Sequence, residues 1–274
     1  MKAKKKFGQN FLNDKQVLNS IGDSINATEE DLIIEIGPGM GALTKILKKK
    51  GSNLICFEID NDLIPILKSL EDNKTKIINE DILKVDFKNI ISQYTYNKLY
   101  IVGNLPYYIT TPIIKHIIDS NIPVDEMIFM VQNEVADRFT SLPGKKEYGS
   151  ITLYLHYYYN LEKLFVVDKT SFSPAPKVES AIIRLKKREN MPVVDTDMYF
   201  KLINDAFKQK RKTLKNNLSN YDFNKINKVL TKNNFPVNVR AEELSEDIFI
   251  EILNAIKEDN WFIFFFFCIY LIGW

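Results

Sequence analysis

Short apolar segments alternate along the chain with longer stretches in which apolar residues recur every three or four positions. Five short runs are apolar at nearly every position, which is typical of strands buried on both faces. They are LIIEI (32–36), LICFEI (54–59), KII (76–78), LYIV (99–102) and MIFMV (127–131). The stretches between them have helical spacing, as in GALTKILKKKG at 41–51. The alternation predicts a parallel sheet with helices on both faces.

The pattern changes after residue 131. ITLYLHYYY (151–159) is compatible with a helix or a strand, whereas KLFVVD (163–168) and SAIIRLKK (180–187) predict an antiparallel hairpin that closes the sheet. Beyond the polar segment 186–197 the spacing is purely helical. We therefore expect an α/β fold, mostly parallel with an antiparallel closing hairpin, over residues 1–189, and a small all-helical domain over 190–260.

Charge changes this picture only through its distribution. The 37 basic and 35 acidic residues leave a net charge of +2, which identifies no partner. Residues 201–240, however, carry ten Lys or Arg against two acids, and residues 2–6 contain four lysines. A solvated face is one interpretation of such clusters. Two clusters in one chain favour a polyanionic partner.

The cysteines and histidines indicate neither a disulfide framework nor a metal site. Cys56 and Cys268 are too few for a disulfide framework and suit a reducing compartment. His116 and His156 lie among apolar residues without ligand spacing, so no metal is expected. The first residues lack the pattern of a secretory signal. We expect a cytoplasmic protein.

The final 14 residues, 261–274, are uncharged and strongly aromatic. They are fewer than the roughly 18 to 20 residues that span a bilayer. We expect a non-functional extension and no membrane association. A contact with a membrane surface or a partner is the alternative.

A glycine-rich turn, EIGPGMGALT at 35–44, joins the first buried strand to a helix. This is where an open α/β sheet binds nucleotide-like ligands. The spacing is G-x-G-x-G, which differs from the dinucleotide fingerprint, and Pro38 removes one backbone donor that a pyrophosphate would use. Gly37 and Gly39 would let the backbone approach a ligand. A purely structural turn is the alternative.

Two acids follow the next two strands. Glu58 ends the second strand, where a carboxylate can accept both hydroxyls of a ribose. Asp81 follows the third strand, where it can accept an adenine amino group or can cap a helix. With the glycine turn, these positions predict an adenosine-containing ligand without a phosphate requirement. S-adenosylmethionine fits that description.

The segment GNLPYY at 103–108 ends a fourth strand. Asn104 offers an amide oxygen, and Pro106 biases Leu105 toward an extended backbone that can aim its carbonyl outward. Two adjacent acceptors suit an exocyclic amine, and Tyr107 offers a flat face for a base. A proline turn with core tyrosines is the alternative.

These motifs occur in the order of a known family. The chain resembles the KsgA/RsmA family of ribosomal RNA adenine N6-dimethyltransferases, which are relatives of the Erm methyltransferases. The resemblance runs from residue 5 to about residue 257. It rests on FGQNFL, EIGPGMGALT, FEID, EDIL, GNLPYYITTP, MVQNEVADR, SFSPAPKVESAIIRL and AFKQKRKTLKNNL.

The resemblance implies a Rossmann-like, S-adenosylmethionine-dependent methyltransferase fold and roles for particular residues. Contacts with S-adenosylmethionine are implied for Asn10, Leu12, Gly37, Gly39, Glu58, Asp81 and Asn104. In the catalytic segment Asn104, Leu105 and Pro106, the Asn104 side chain and Leu105 carbonyl would accept hydrogen bonds from adenine N6. Tyr107 and Phe172 would sandwich the adenine. A basic helix would follow RNA phosphates through Lys208, Lys210, Arg211, Lys212 and Lys215.

The implied substrate is a pair of adjacent adenines in a hairpin near the 3′ end of small-subunit ribosomal RNA, within the 30S particle, and we expect a monomer. Three alternatives stay open at this point. One is an Erm-type enzyme acting on large-subunit RNA, and another is an assembly factor that acts mainly by binding. The third, a nicotinamide-dependent reductase, is disfavoured by the glycine spacing and by the Asn-Leu-Pro-Tyr element.

Overall fold

The computed structural model describes residue 4 and residues 7–257. The predictions made for residues 261–274 and for Cys268 lie outside the described residues. The strands are β1 Phe11–Leu12, β2 Leu32–Ile36, β3 Asn53–Phe57, β4 Thr75–Ile78, β5 Leu99–Asn104, β6 Glu126–Gln132, β7 Tyr159–Val167, β8 Phe172–Ser173 and β9 Ser180–Lys187.

The helices surround this sheet and form the C-terminal part of the described chain. They are α1 Lys15–Ser24, α2 Ala42–Leu47, α3 Ile64–Lys68, α4 Phe87–Ile91, α5 Thr110–Asp119, α6 Asn133–Phe139, α7 Ser150–Tyr158, α8 Thr196–Ala206, α9 Leu214–Asn217 and α10 Phe223–Lys232. A further helix covers residues 246–257. Among the described residues, no helix combines the length and the apolarity needed to cross a bilayer.

Seven strands form the main sheet in the order β4-β3-β2-β5-β6-β9-β7. Neighbouring strands from β4 to β6 are parallel, whereas β9 runs antiparallel to both β6 and β7. This confirms the predicted parallel sheet with its antiparallel closing hairpin. The chain order reverses between β2 and β5, which is where such sheets open a crevice at the carboxyl ends of their strands.

Each of the five apolar runs contains a strand, and the strands β2, β3, β5 and β6 are almost wholly buried, whereas the edge strand β4 is partly exposed. Every residue of β2 is buried, and Ile33 and Ile34 are fully inaccessible. The ambiguous run at 151–159 is mainly helix α7, and its last residue begins β7. Local pattern could not decide this, since α7 is apolar on most of its surface.

The chain divides into two compact units, and the division differs from the predicted domains. Of the described residues, 4, 7–137 and 159–187 form the first unit, and 138–158 and 188–257 form the second. Residues 138–158 were expected in the first domain. They belong to the second because Tyr148, Leu153 and Tyr157 share a hydrophobic core with Tyr199 and other residues of the C-terminal helices.

The basic segment of the second unit is not the expected helix. Helix α8 ends at Ala206, and residues 207–213 form turns before α9. Asn217 holds this loop, since its Nδ2 donates to the carbonyl oxygens of Ala206 at 2.6 Å and Gln209 at 3.2 Å. Thr213 caps α9. The five predicted RNA-binding side chains are all exposed: Lys208, Lys210, Arg211 and Lys212 in the loop, and Lys215 in α9.

Candidate active site

A cavity opens at the carboxyl ends of the parallel strands, within the first unit. It is lined by the residues predicted to bind the cofactor and by those of the Asn-Leu-Pro-Tyr element. These are Asn10, Leu12, Gly37, Gly39, Glu58, Asp81, Asn104, Leu105, Pro106 and Tyr107. Residues that are up to 97 positions apart in the chain therefore meet around one space.

The glycine turn leaves this space open because of its backbone. Gly39 has φ of +59°, a conformation that residues with a Cβ rarely adopt. A Cβ at this position would also lie 3.2 Å from Cδ1 of Phe11, which is in the N-terminal strand β1. A hydrogen bond to the neighbouring strand β3 also fixes the turn, since the Gly37 amide donates to the carbonyl of Phe57 at 2.9 Å.

Glu58 is held at the end of β3 by backbone amides. Its Oε2 accepts a hydrogen bond from the amide of Gly39 at 3.1 Å, and its Oε1 accepts one from Asp60 at 2.8 Å. Burial raises the pKa of this carboxyl above its usual value. A carboxylate has about four acceptor positions. Two therefore remain for the hydroxyls of a ribose.

Asp81 caps a short helical turn and also lies at the cavity. Its Oδ1 accepts a hydrogen bond from the amide of Leu83 at 3.1 Å, so it caps the short 3-10 turn Ile82–Lys84. The residue also lines the cavity. Because capping uses one of several acceptor positions, it is compatible with binding of an amino group.

Asn104 is oriented by the N-terminal segment. Its Nδ2 donates to the backbone carbonyl of Asn10 at 3.0 Å. With its amide nitrogen engaged in this way, the side chain presents Oδ1 as an acceptor. Leu105 follows with its amide bonded to the carbonyl of Met130. The role of Asn10 as a support for Asn104 gave no signal in the sequence, because it comes from a backbone atom.

Tyr107 and Phe172 occupy different environments. Tyr107 is half-buried, and its hydroxyl is 2.6 Å from Oγ of Ser180; burial raises its pKa. Phe172 is only 5% exposed and belongs to the hydrophobic core, where its backbone pairs with Leu12. The structure thus brings Tyr107 to the cavity and leaves Phe172 out of the lining. The predicted sandwich of an adenine between these rings stays a prediction.

Glu35 is a further cavity residue that the motif analysis did not single out. It is 1% exposed, and burial raises its pKa to about 7. The Cys56 thiol donates to its Oε2 at 3.4 Å. Its signal in the sequence was an acidic residue inside the apolar run LIIEI. We expect this carboxyl to change protonation near neutral pH.

A polar cluster holds the start of the chain beside the cavity. Gln9 donates to Oδ2 of Asp60 at 2.7 Å, and the Lys4 ammonium pairs with Asp60 and Asp62. Although burial raises the pKa of Asp60, the hydrogen bonds from Lys4 and Gln9 hold it below its usual value. Lys4, one of the N-terminal lysines, therefore forms ion pairs within the protein.

The chemistry of the cavity lining fits S-adenosylmethionine. Among the described residues that line it there is no Lys or Arg to favour a phosphate, whereas Glu35, Glu58, Glu80 and Asp81 are acidic. Such a lining suits a ligand with a ribose, an adenine and a positive sulfonium. Across the part of the chain that the structure describes, no group of three His, Cys, Asp or Glu side chains is placed to hold a metal.

Comparisons with known proteins agree with this chemistry. The family model described as ribosomal RNA adenine dimethylase matches residues 1–258. The chain is 42% identical to ribosomal RNA small subunit methyltransferase A of Streptococcus gordonii, over 94% of this chain and 93% of that one. The protein of the same name from Streptococcus thermophilus is 41% identical, over 93% and 92% of the two chains.

Solved structures show the same fold. A dimethyladenosine transferase from Plasmodium falciparum superposes with a TM-score of 0.76 at 24% identity, over 91% of this chain and 98% of that one. The 23S rRNA methyltransferase ErmE superposes with a TM-score of 0.73 at 21% identity, over 90% and 100%. From the family match and the identity to its relatives, this chain is a member of the ribosomal RNA adenine dimethylase family and thus an S-adenosylmethionine-dependent methyltransferase.

Proposed function

We propose that this protein dimethylates N6 of two adjacent adenines in a hairpin near the 3′ end of 16S ribosomal RNA, in the 30S particle. The observation that carries the proposal is the Asn-Leu-Pro-Tyr element at the mouth of an adenosine-type cavity. The choice of the small subunit rests on the name of the streptococcal relatives. We also propose that the protein acts as a cytoplasmic, metal-independent monomer in ribosome biogenesis.

The residues of the element suit the positioning of an amine. S-adenosylmethionine, when bound, supplies an electrophilic methyl group. In the first transfer Asn104 Oδ1 and the Leu105 carbonyl accept the two hydrogens of adenine N6, which draws the nitrogen lone pair out of conjugation with the ring. In the second transfer the one remaining hydrogen of N6-methyladenine binds one of these two acceptors. Tyr107, whose hydroxyl is bonded to Ser180, offers its ring to the base. The rate then comes from positioning and electrostatics.

The element needs no strong base beside it. The immediate product is a protonated amine, which is acidic enough to lose its proton to water. The target adenine flips out of the RNA helix, and this brings its N6 into the cavity. The exposed basic side chains of residues 208–215 bind phosphates without reading bases and so hold the RNA.

The substrate is tested by methyl incorporation from labelled S-adenosylmethionine. Unmethylated 30S particles and 50S particles are assayed separately, and the modified bases are mapped. We expect N6,N6-dimethyladenine at two adjacent positions of the 30S RNA. Label confined to the 50S particle would replace the proposal with an Erm-type function. Absence of label in both particles would favour an assembly factor that acts by binding.

A further inference from the structure

The two consecutive tyrosines of GNLPYY have different environments. Tyr107 is half-buried and its hydroxyl is fixed by Ser180. Tyr108 also lines the cavity, but its side chain is 61% exposed. An exposed aromatic side chain beside a binding site offers a flat apolar surface to a ligand. The proposed roles of Asn104 and Tyr107 assign no function to the exposed ring of Tyr108.

The ring of Tyr108 lies against the N-terminal segment. Gly8 has φ of +62°, and a Cβ at that position would lie 3.2 Å from Cε1 and 3.4 Å from Cδ1 of Tyr108. It would also lie 3.8 Å from Cβ of Pro106. Glycine at residue 8 therefore lets the chain pass close to the ring. The ring is supported by backbone on one side while most of its surface stays accessible.

A supported, accessible ring suits a nucleobase. Removing an adenine from an RNA helix exposes the face of the base next to it, which loses its stacking partner. Aromatic side chains replace such stacking at about 1 to 3 kcal/mol per base and accept any base, since every base has a π face. Consecutive residues lie about 3.8 Å apart along the chain. Tyr107 and Tyr108 both line the cavity, so their rings are available to two neighbouring nucleotides.

We propose that Tyr108 stacks on the nucleotide adjacent to the adenine in the cavity and so positions the RNA for methyl transfer. This inference rests on the proposed function and adds a residue to it. When one of the two adjacent adenines occupies the cavity, the other is a natural occupant of the Tyr108 ring. The ring then helps to hold the pair in register through both rounds of transfer.

The test compares three variants at residue 108 with the full-length protein and unmethylated 30S particles. Tyr108→Phe keeps the ring, Tyr108→Leu keeps an apolar side chain beside Gly8 without a ring, and Tyr108→Ala removes both. The matched control is Val166→Ala, which truncates another exposed apolar side chain, on β7 and outside the cavity lining. The measurements are kcat/KM for the particle and the dissociation constant of S-adenosylmethionine by calorimetry.

We expect Tyr108→Phe and Val166→Ala to match the wild type. We expect Tyr108→Ala and Tyr108→Leu to lower kcat/KM for the particle roughly five- to hundredfold, as loss of one stacked base predicts. The affinity for S-adenosylmethionine should stay unchanged in all variants. A leucine variant as active as the phenylalanine variant would overturn stacking. Full activity of the alanine variant would overturn any role of the side chain.

A support role for the ring has a separate signature. If Tyr108 only props the N-terminal segment, the alanine variant will bind S-adenosylmethionine more weakly, because that segment contributes Asn10 and Leu12 to the cavity. Parallel losses of cofactor affinity and particle activity would therefore overturn the inference. Failure of the wild-type protein to methylate adenines in 30S particles would instead refute the proposed function itself.

Discussion

Single side chains in the cavity are held by backbone groups that leave their other polar atoms available. Glu58 accepts hydrogen bonds from two amides, and Asn104 donates to the carbonyl of Asn10. These bonds fix the orientation of a carboxylate and of a carboxamide before any ligand arrives. Binding then needs less ordering of side chains. The predictions for single residues depend on the acceptor atoms that these bonds leave available to a ligand.

Asn104→Ala should lower the rate of methyl transfer at least about a hundredfold, since it removes an acceptor that acts on the reacting amine. RNA binding should stay nearly intact. The comparison needs single-turnover methyl incorporation together with filter binding of the particle. Asn97→Ala is the matched control, because Asn97 is an exposed asparagine just before the amino end of β5. A rate close to the wild type would remove Asn104 from the chemistry.

Glu58→Ala should raise the dissociation constant of S-adenosylmethionine about tenfold or more, because hydrogen bonds to a charged acceptor are lost. Glu58→Gln keeps one oxygen acceptor at the same place, so we expect it to bind with intermediate affinity. Isothermal calorimetry measures both. Equal affinities of all three proteins would show that this carboxylate does not bind the ribose.

Glu35 should make stability depend on pH. Its pKa is raised from 4.5 to about 7 in the folded protein, so the folded state binds the proton more tightly than the unfolded state. The stabilisation is complete below the unfolded pKa and is lost as pH rises through the folded one. The free energy of unfolding should thus fall by about 3 kcal/mol between these two pH values.

Glu35→Gln replaces the carboxyl with a neutral group of the same shape and should abolish this part of the pH dependence. Urea unfolding of both proteins at pH 5 and pH 8 measures it. The wild type should lose more stability than the variant on going to pH 8. The same loss in both proteins would contradict the assignment.

At the scale of helices and strands, the parallel strands of the sheet could be predicted from the sequence. The buried strands β2 to β6 were predicted because a continuous apolar run in a parallel sheet reflects burial on both faces, which is a local property of the chain. The positions of Gly37, Glu58, Asp81 and Asn104 followed, since the carboxyl ends of parallel strands meet at one edge. All four residues line one cavity, and their binding roles stay predictions.

Other features depended on contacts between distant residues. Residues 138–158 join the second unit through side chains such as Tyr157, which pack with Tyr199. The basic segment is a loop because Asn217 binds the carbonyls of Ala206 and Gln209. No pattern within either segment reports these partners. The same holds for Phe172, whose burial is set by the packing of the core.

The basic loop before α9 carries a prediction about RNA. Replacing Lys210 and Arg211 with Gln should weaken binding of the 30S particle and reduce the slope of log affinity against log salt by about 1.5, since two phosphate contacts are lost. The control replaces Lys74 and Lys98, two exposed lysines that flank the amino ends of β4 and β5. An unchanged slope in the Lys210 and Arg211 variant would contradict the assignment.

At the scale of the whole molecule, the cavity lining and the basic loop belong to different units. The first contains the complete cavity lining, and the second contains the exposed basic loop. Each has a hydrophobic core of its own. Cofactor affinity and RNA affinity should therefore respond to different sets of substitutions.

Deletion of residues 261–274 should leave methyl transfer to the 30S particle unchanged within about twofold, because the family match ends at residue 258. Activity of the shortened and full-length proteins under the same conditions tests this. A clear loss of activity would show that these residues take part in function.

The pairing of β1 with β8 also joins the start of the chain to a segment that is made much later in its synthesis. Phe11 and Leu12 find their partners only at Ser173 and Phe172. At about 5 to 20 residues per second, a ribosome needs roughly 10 to 30 s to make the intervening chain. Until then the segment that contains Asn10, whose carbonyl accepts a hydrogen bond from Asn104, lacks the strand pairing that follows it. The strand pairing next to Asn10 can therefore form only after most of the first unit has been synthesised.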